Sequence, residues 1–96
     1  EILFLAAVDP RRPAGSLTAA DWRRVEKAAS LVLSRAVVCR GTSISDWRDL
    51  FGMSGTNQHH LAVYARAGEA CQRCGSVIVR LTMAGRGTWF CPSCQH

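Results

Sequence analysis

The sequence holds a single lysine, a single tyrosine and three prolines, and no acidic residue follows Glu69. It also lacks any apolar run near the roughly 18 residues a membrane-spanning helix needs, which excludes that class of protein. Lys27, the one lysine, falls inside a helical pattern and is a poor candidate for Schiff-base chemistry. No Ser-His-Asp arrangement, carboxylate pair or glycine-rich phosphate loop can be made out, so the common hydrolase and nucleotide-binding plans find no support. The opening run Ile2 to Val8 is apolar, but Glu1 precedes it and Asp9-Pro10-Arg11-Arg12 follows, so a signal peptide's basic start and small-residue cleavage site are missing. The chain opens on Glu1 rather than methionine, which reads as a fragment or a processed product.

What is present is 96 residues, one small domain's worth, with 48% hydrophobic residues and a formal net charge of +5. A chain this short buries only about 60–65% of the surface its unfolded form exposes, so an added staple is expected. Arginine supplies all the cations but one, and guanidinium is the better planar, bidentate partner for phosphate. A GC-rich genome would enrich arginine as well, so position matters more than number. Residues 71–96 carry Arg73, Arg80 and Arg86 with no acid among them. The basic excess therefore sits in the C-terminal quarter.

Five cysteines cannot all pair internally. Four of them form Cys71-x-x-Cys74 and Cys91-x-x-Cys94, two identical spacings with 16 residues between. That separation fits a tetrahedral four-thiolate zinc site, each pair approaching the ion from one tight turn. Two disulfides of a secreted mini-protein, or a redox couple, are the competing readings. The zinc reading is preferred, because a redox pair needs a thioredoxin-type context and here the pair occurs twice. With all four positions filled by protein the metal is structural, and its binding is coupled to folding. Four thiolates and one Zn²⁺ would lower the formal net charge by two. Cys39, in an apolar helical context, reads as a small buried hydrophobe.

Hydrophobic spacing orders the rest. Residues 1–8 read as the end of a helix stopped by Asp9-Pro10, and residues 9–17 as turns. Thr18 with Asp21 is a capping-box variant opening a helix over about 18–39, its buried face written as Trp22, Val25, Ala29, Val32, Leu33, Ala36 and Val37. Ser45 to Phe51 suits a short helical turn, Gly52 to Asn57 a loop, and 58–66 a short helix. Val77 to Met83 and Arg86 to Phe90 are β-rich, with Ala84-Gly85 as the turn between them. The expected architecture is α+β: a small helical module over 1–66, then a zinc-ribbon β-hairpin over 67–96. Trp47 and Trp89 read as packing residues, His59 and His60 as surface histidines, and His96 as a disordered end or part of a tag. Arg86, between two glycines after the hairpin turn, is a solvated turn arginine unless a ligand approaches it.

The ordered motifs Asp9 to Leu17, Gly41 to Ile44, Val63 to Gly75 and Gly85 to Gln95 resemble the C-terminal half of the formamidopyrimidine-DNA glycosylase and endonuclease VIII family. That resemblance implies a helix-two-turns-helix module followed by a zinc finger, gripping double-stranded DNA around a damaged or abasic nucleotide. It puts Arg86 in the place of the family's phosphate-contacting arginine, reversing the solvated-turn reading. It implies further DNA contacts at Gly87, Thr88 and Arg12, and at Gly55 and Thr56 of a loop that closes over an extruded base. The family's N-terminal proline amine and neighbouring glutamate lie outside these residues, as does a phosphate-binding asparagine that would precede Glu1. Asp9-Pro10 replaces the family's His-Pro, which places a negative charge near the expected DNA path. Asn57-Gln58 replaces an aromatic-Gln pair. The resemblance implies a monomeric, cytoplasmic, nucleoid-associated repair protein. A catalytically inactive DNA-binding relative and a zinc-ribbon protein-interaction module are the alternatives.

Overall fold

A computed structural model of the chain describes residues 1–39 and 60–96. The first helix, α1, covers Ile2–Ala6. Five residues cannot hold a helix in water alone, so its stability must come from packing. It ends in a left-handed residue, Ala7 at φ 60°, whose amide donates to the Phe4 carbonyl at 3.1 Å while Val8 donates to Leu3 at 2.9 Å. This is the two-bond Schellman closure, made with alanine where glycine is usual. The helix thus stops three residues before Pro10, at a backbone turn rather than at the proline. The Pro-rich stretch that follows is irregular except for one 3₁₀ turn at Ala14–Ser16.

Helix α2 runs Ala19–Val38. Its start is the expected capping box: Thr18 Oγ1 accepts from the Asp21 amide at 3.1 Å, and Asp21 Oδ2 accepts from the Thr18 amide at 2.9 Å. The buried strip differs from the expected face. Asp21 and Ala28 are buried with Val25 and Val32 half-buried beside them, whereas Trp22 is 48% exposed and Val37 78% exposed. Leu33 is exposed as well. Among the described residues, α1 packs against only one narrow strip of α2. Ala6, Val8 and Ala28 form that contact, with Ile2, Leu3, Leu17 and Val25 packed around it. Cys39 is half-buried at the end of α2 rather than buried. Among the described residues no helix is long and apolar enough to cross a membrane.

Of the helix expected over 58–66, the described residues keep a 3₁₀ turn at His60, while 61–66 are not helical. Those residues make turns, with Ala65 at φ 59° and the Arg66 amide bonded to the Val63 carbonyl at 3.1 Å. Three amides in this stretch are claimed by a side chain instead. The Glu1 carboxylate accepts from Ala62, Val63 and Tyr64 at 2.8, 2.9 and 2.9 Å. The expected turn at 45–51, the loop at 52–57 and Trp47 lie outside the described residues.

The hairpin follows the expected plan. Strands β1 (Val79–Met83) and β2 (Arg86–Phe90) are antiparallel, pairing Val79 with Phe90 and Met83 with Arg86. Ala84 at φ 51° and Gly85 at φ 78° form the two-residue loop. Positive φ at both places is the type I′ turn, whose twist matches the strands.

A second core joins α1 to the hairpin. Phe4, Val63, Cys71, Ile78 and Cys91 are buried together, with Ala62, Trp89 and Cys94 packed against them. The chain end is fastened too. The His96 amide donates to Ala7 and its carbonyl accepts from the Asp9 amide, both at 3.1 Å. His96 is thus backbone-ordered, not a loose end, because the segment after α1 offers it an edge to pair with.

Candidate metal centre and nucleic-acid face

The sulfurs of Cys71, Cys74, Cys91 and Cys94 all lie within 4.8 Å of one another, and none is in a disulfide. Cys71 Sγ is 3.9 Å from Cys94 Sγ, and Cys74 Sγ is 3.4 Å from Cys91 Sγ. A zinc ion with Zn–S bonds of about 2.3 Å sets tetrahedral edges near 3.8 Å, so the four thiols fit one ion. The turns are built for it. Arg73 and Cys94 point their amides at Cys71 Sγ and Cys91 Sγ, 3.3 and 3.4 Å away. Gly75 takes φ 80° so that its amide returns to the Cys71 carbonyl at 2.8 Å. Ser76 and Ser93 join the two knuckles through hydroxyls 2.8 Å apart.

The thiols are electrostatically unequal. The Ser76 hydroxyl and amide bring Cys74 down to about 6. Burial pushes Cys94 up to about 12, with the neighbouring thiols adding to it. Burial also raises Cys91, whereas at Cys71 burial is outweighed by the Cys74 and Arg73 amides, which lower the thiol. Four thiolates this close repel one another unless a divalent cation lies between them. Zinc would supply that charge and a rigid crossing point, and the closed donor set leaves no position for a reacting ligand.

Arg86 stands exposed at the hairpin tip, and none of the described residues gives it an acidic partner. Gly87 and Thr88 line a cleft of about 390 Å³ with Glu1, Leu3, Tyr64 and Trp89. Trp89 is half-buried against Tyr64, the ring centroids 4.6 Å apart, in keeping with its expected packing role. Arg12 is placed differently. Its guanidinium donates to the His96 carbonyl at 3.2 Å, to the Ser16 carbonyl at 3.0 Å and to Asp21 at 3.3 Å. It ties the chain end to the start of α2, which leaves little of it for a ligand. Gly55 and Thr56 lie outside the described residues.

Asp21 is the anchor of that corner. The Thr18 amide foremost, then the Thr18 side chain, Arg12 and Arg24, hold its carboxyl at about 2. Asp9 is neutralised where it stands. Arg11 clasps it with Nη2 at 2.6 Å and Nε at 3.0 Å while lying 4.9 Å over the Phe90 ring, and this clasp lowers the Asp9 carboxyl. The charge expected to face a ligand is therefore met from inside the chain.

Two residues central to this geometry escaped the sequence reading. Gln95 is 2% exposed and bridges the second knuckle to the end of α1. Glu1 organises residues 62–64. A buried glutamine or a lone glutamate has no periodic signature, so only the fold reveals them.

Residues 68–96 match the model of a zinc finger found in FPG and IleRS. The formamidopyrimidine-DNA glycosylase of Herpetosiphon aurantiacus is 44% identical over 99% of this chain and 35% of its own length. That of Laribacter hongkongensis is 43% identical over 100% of this chain and again 35% of its own length. The chain thus spans about a third of the length of the curated relatives it matches. Among solved structures, the MutM (FPG) protein of Thermus thermophilus superposes with a TM-score of 0.93 at 45% identity, over 99% of this chain and 36% of that one. A complex of Lactococcus lactis Fpg with DNA containing an abasic site superposes with a TM-score of 0.92 at 36% identity, over 100% of this chain and 35% of that one. The chain is thus similar over its whole length to about a third of the length of formamidopyrimidine-DNA glycosylases, and its four-cysteine hairpin lies in the part that matches a zinc finger found in FPG and IleRS.

Proposed function

We propose that the chain is the DNA-gripping portion of a base-excision-repair glycosylase and AP lyase that acts on oxidised bases. One observation carries the reading: similarity at 43–45% identity runs through the helices and the zinc finger alike, to relatives named as formamidopyrimidine-DNA glycosylases. The local chemistry supports it. A zinc-built hairpin offers Arg86 as an uncompensated cation from a segment that holds no acid, which suits a phosphodiester backbone. Thr88 and the Gly87 backbone stand next to it, and Gly55 and Thr56 belong to the same proposed interface. Arg12 serves it indirectly, by fixing the corner behind it. The division at residues 66 and 67 marks two functional parts, although both draw on the core around Phe4 and Cys71. The nucleoid of a bacterial cytoplasm is the proposed setting.

Catalysis in this reading belongs to the whole glycosylase, while the residues described here bind and orient. The test is fluorescence anisotropy of a labelled duplex carrying a stable abasic-site analogue, beside its intact counterpart. Tighter binding to the abasic duplex supports lesion recognition within this portion. Equal binding confines it to a general DNA grip, and no binding at low salt contradicts the proposal.

A further inference from the structure

Strand register divides the hairpin's residues between two faces. Arg80 pairs with Trp89 and Thr82 with Gly87, so these four share one face, while Arg86, Thr88 and the buried Phe90 alternate onto the other. On the first face the Arg80 guanidinium carbon lies 5.3 Å from the centre of the Trp89 ring. The side chain also leans across β2. A Cβ placed on Gly87 would meet Arg80 Nη2 at 2.8 Å, the Trp89 ring at Cη2 at 2.9 Å and Arg80 Nε at 3.0 Å. The glycine therefore leaves room for this guanidinium. Trp89 also meets the Tyr64 ring edge-on.

We propose that Arg80 is a second phosphate-binding residue of the hairpin, on the face opposite Arg86, presented by Trp89 through the gap that Gly87 leaves. The inference rests on the DNA-binding reading above and adds a residue to it. A free arginine gives up considerable rotamer entropy when it binds, and stacking on an indole removes part of that cost beforehand. A guanidinium carries paired N–H donors along its edges. Arg80 is exposed and has no acidic partner among the described residues. An anion with two in-plane oxygens, such as a backbone phosphodiester, fits that edge.

The test uses the zinc-loaded chain and a labelled intact duplex across a salt series, with Arg80→Gln, Arg86→Gln and the double variant. Arg80→Gln should weaken binding about tenfold at low salt and reduce the salt slope by about one, in both backgrounds. Zinc content and melting temperature should match the parent. Gly87→Ala crowds both the Arg80 guanidinium and the Trp89 ring, so it should weaken binding more when Arg80 is present than in the Arg80→Gln chain. A parental slope in Arg80→Gln alongside a reduced slope in Arg86→Gln would overturn the Arg80 assignment and leave the DNA reading standing. Absence of salt-dependent binding by the parent would overturn both.

Discussion

Gln95 fastens the metal knuckle to the first helix by donating from Nε2 to the Val8 carbonyl at 2.9 Å. Its Oε1 accepts from the Cys91 amide at 2.8 Å, so both ends of one buried amide are used. Together with the His96 amide bond to Ala7, this makes α1, the second cysteine pair and the chain end one unit. A metal site so anchored reports on the helices, and loss of either side should be felt by the other.

Gln95→Ala leaves a buried amide and a buried carbonyl without partners. At about 1–3 kcal/mol for each group, the zinc-loaded chain should lose roughly 2–6 kcal/mol. Chemical denaturation of both chains at equal zinc checks this. A change below about 0.5 kcal/mol would remove the latch from the account.

Asp21 links stability to acid. Its carboxyl falls from an ordinary 3.8 to about 2 in the folded chain. A depressed carboxyl contributes stability above its unfolded value and loses that contribution as pH falls through the folded one. Asp21→Asn should therefore be less stable than the parent at neutral pH. The gap should narrow between about pH 4 and pH 2, with zinc release common to both chains. A constant gap over that window would show that the charge of Asp21 is not what matters.

Ala84 carries a Cβ in the left-handed region. Ala84→Gly removes that clash at the first turn position and should raise stability by about 0.5–1 kcal/mol, seen as a higher melting temperature with zinc bound. Lower stability would mean the turn gains more from alanine's restricted unfolded chain than it loses in strain.

Arg86→Ala touches no contact within the described residues, so its melting temperature should stay that of the parent. Duplex affinity should fall by about 1–3 kcal/mol and the salt slope by about one. Unchanged affinity and slope would take Arg86 off the interface.

Legibility from the sequence followed the range of the interaction. The Thr18–Asp21 box, the cysteine spacing and the Ala84-Gly85 turn are local chemistry, and each is found where the residues put it. Trp22 fits the helical period but stays outside the α1–α2 cluster and half exposed, which periodicity cannot know. The turns at 62–64, where a helix is expected, are held by Glu1, some sixty residues earlier. The order at His96 depends on Ala7 and Asp9. Arg12, expected from the resemblance to contact DNA, forms a structural tie, because Ser16, Asp21 and His96 converge on it only in the fold.

The central claim is that zinc builds the surface that grips DNA. The most direct measurement is anisotropy of a labelled abasic duplex with the zinc-loaded chain, repeated after removal of the metal by EDTA and again after zinc is returned. Binding should vanish with the metal and recover with it, at one zinc per chain. Binding with the same affinity and salt slope in the chelated chain would contradict the account.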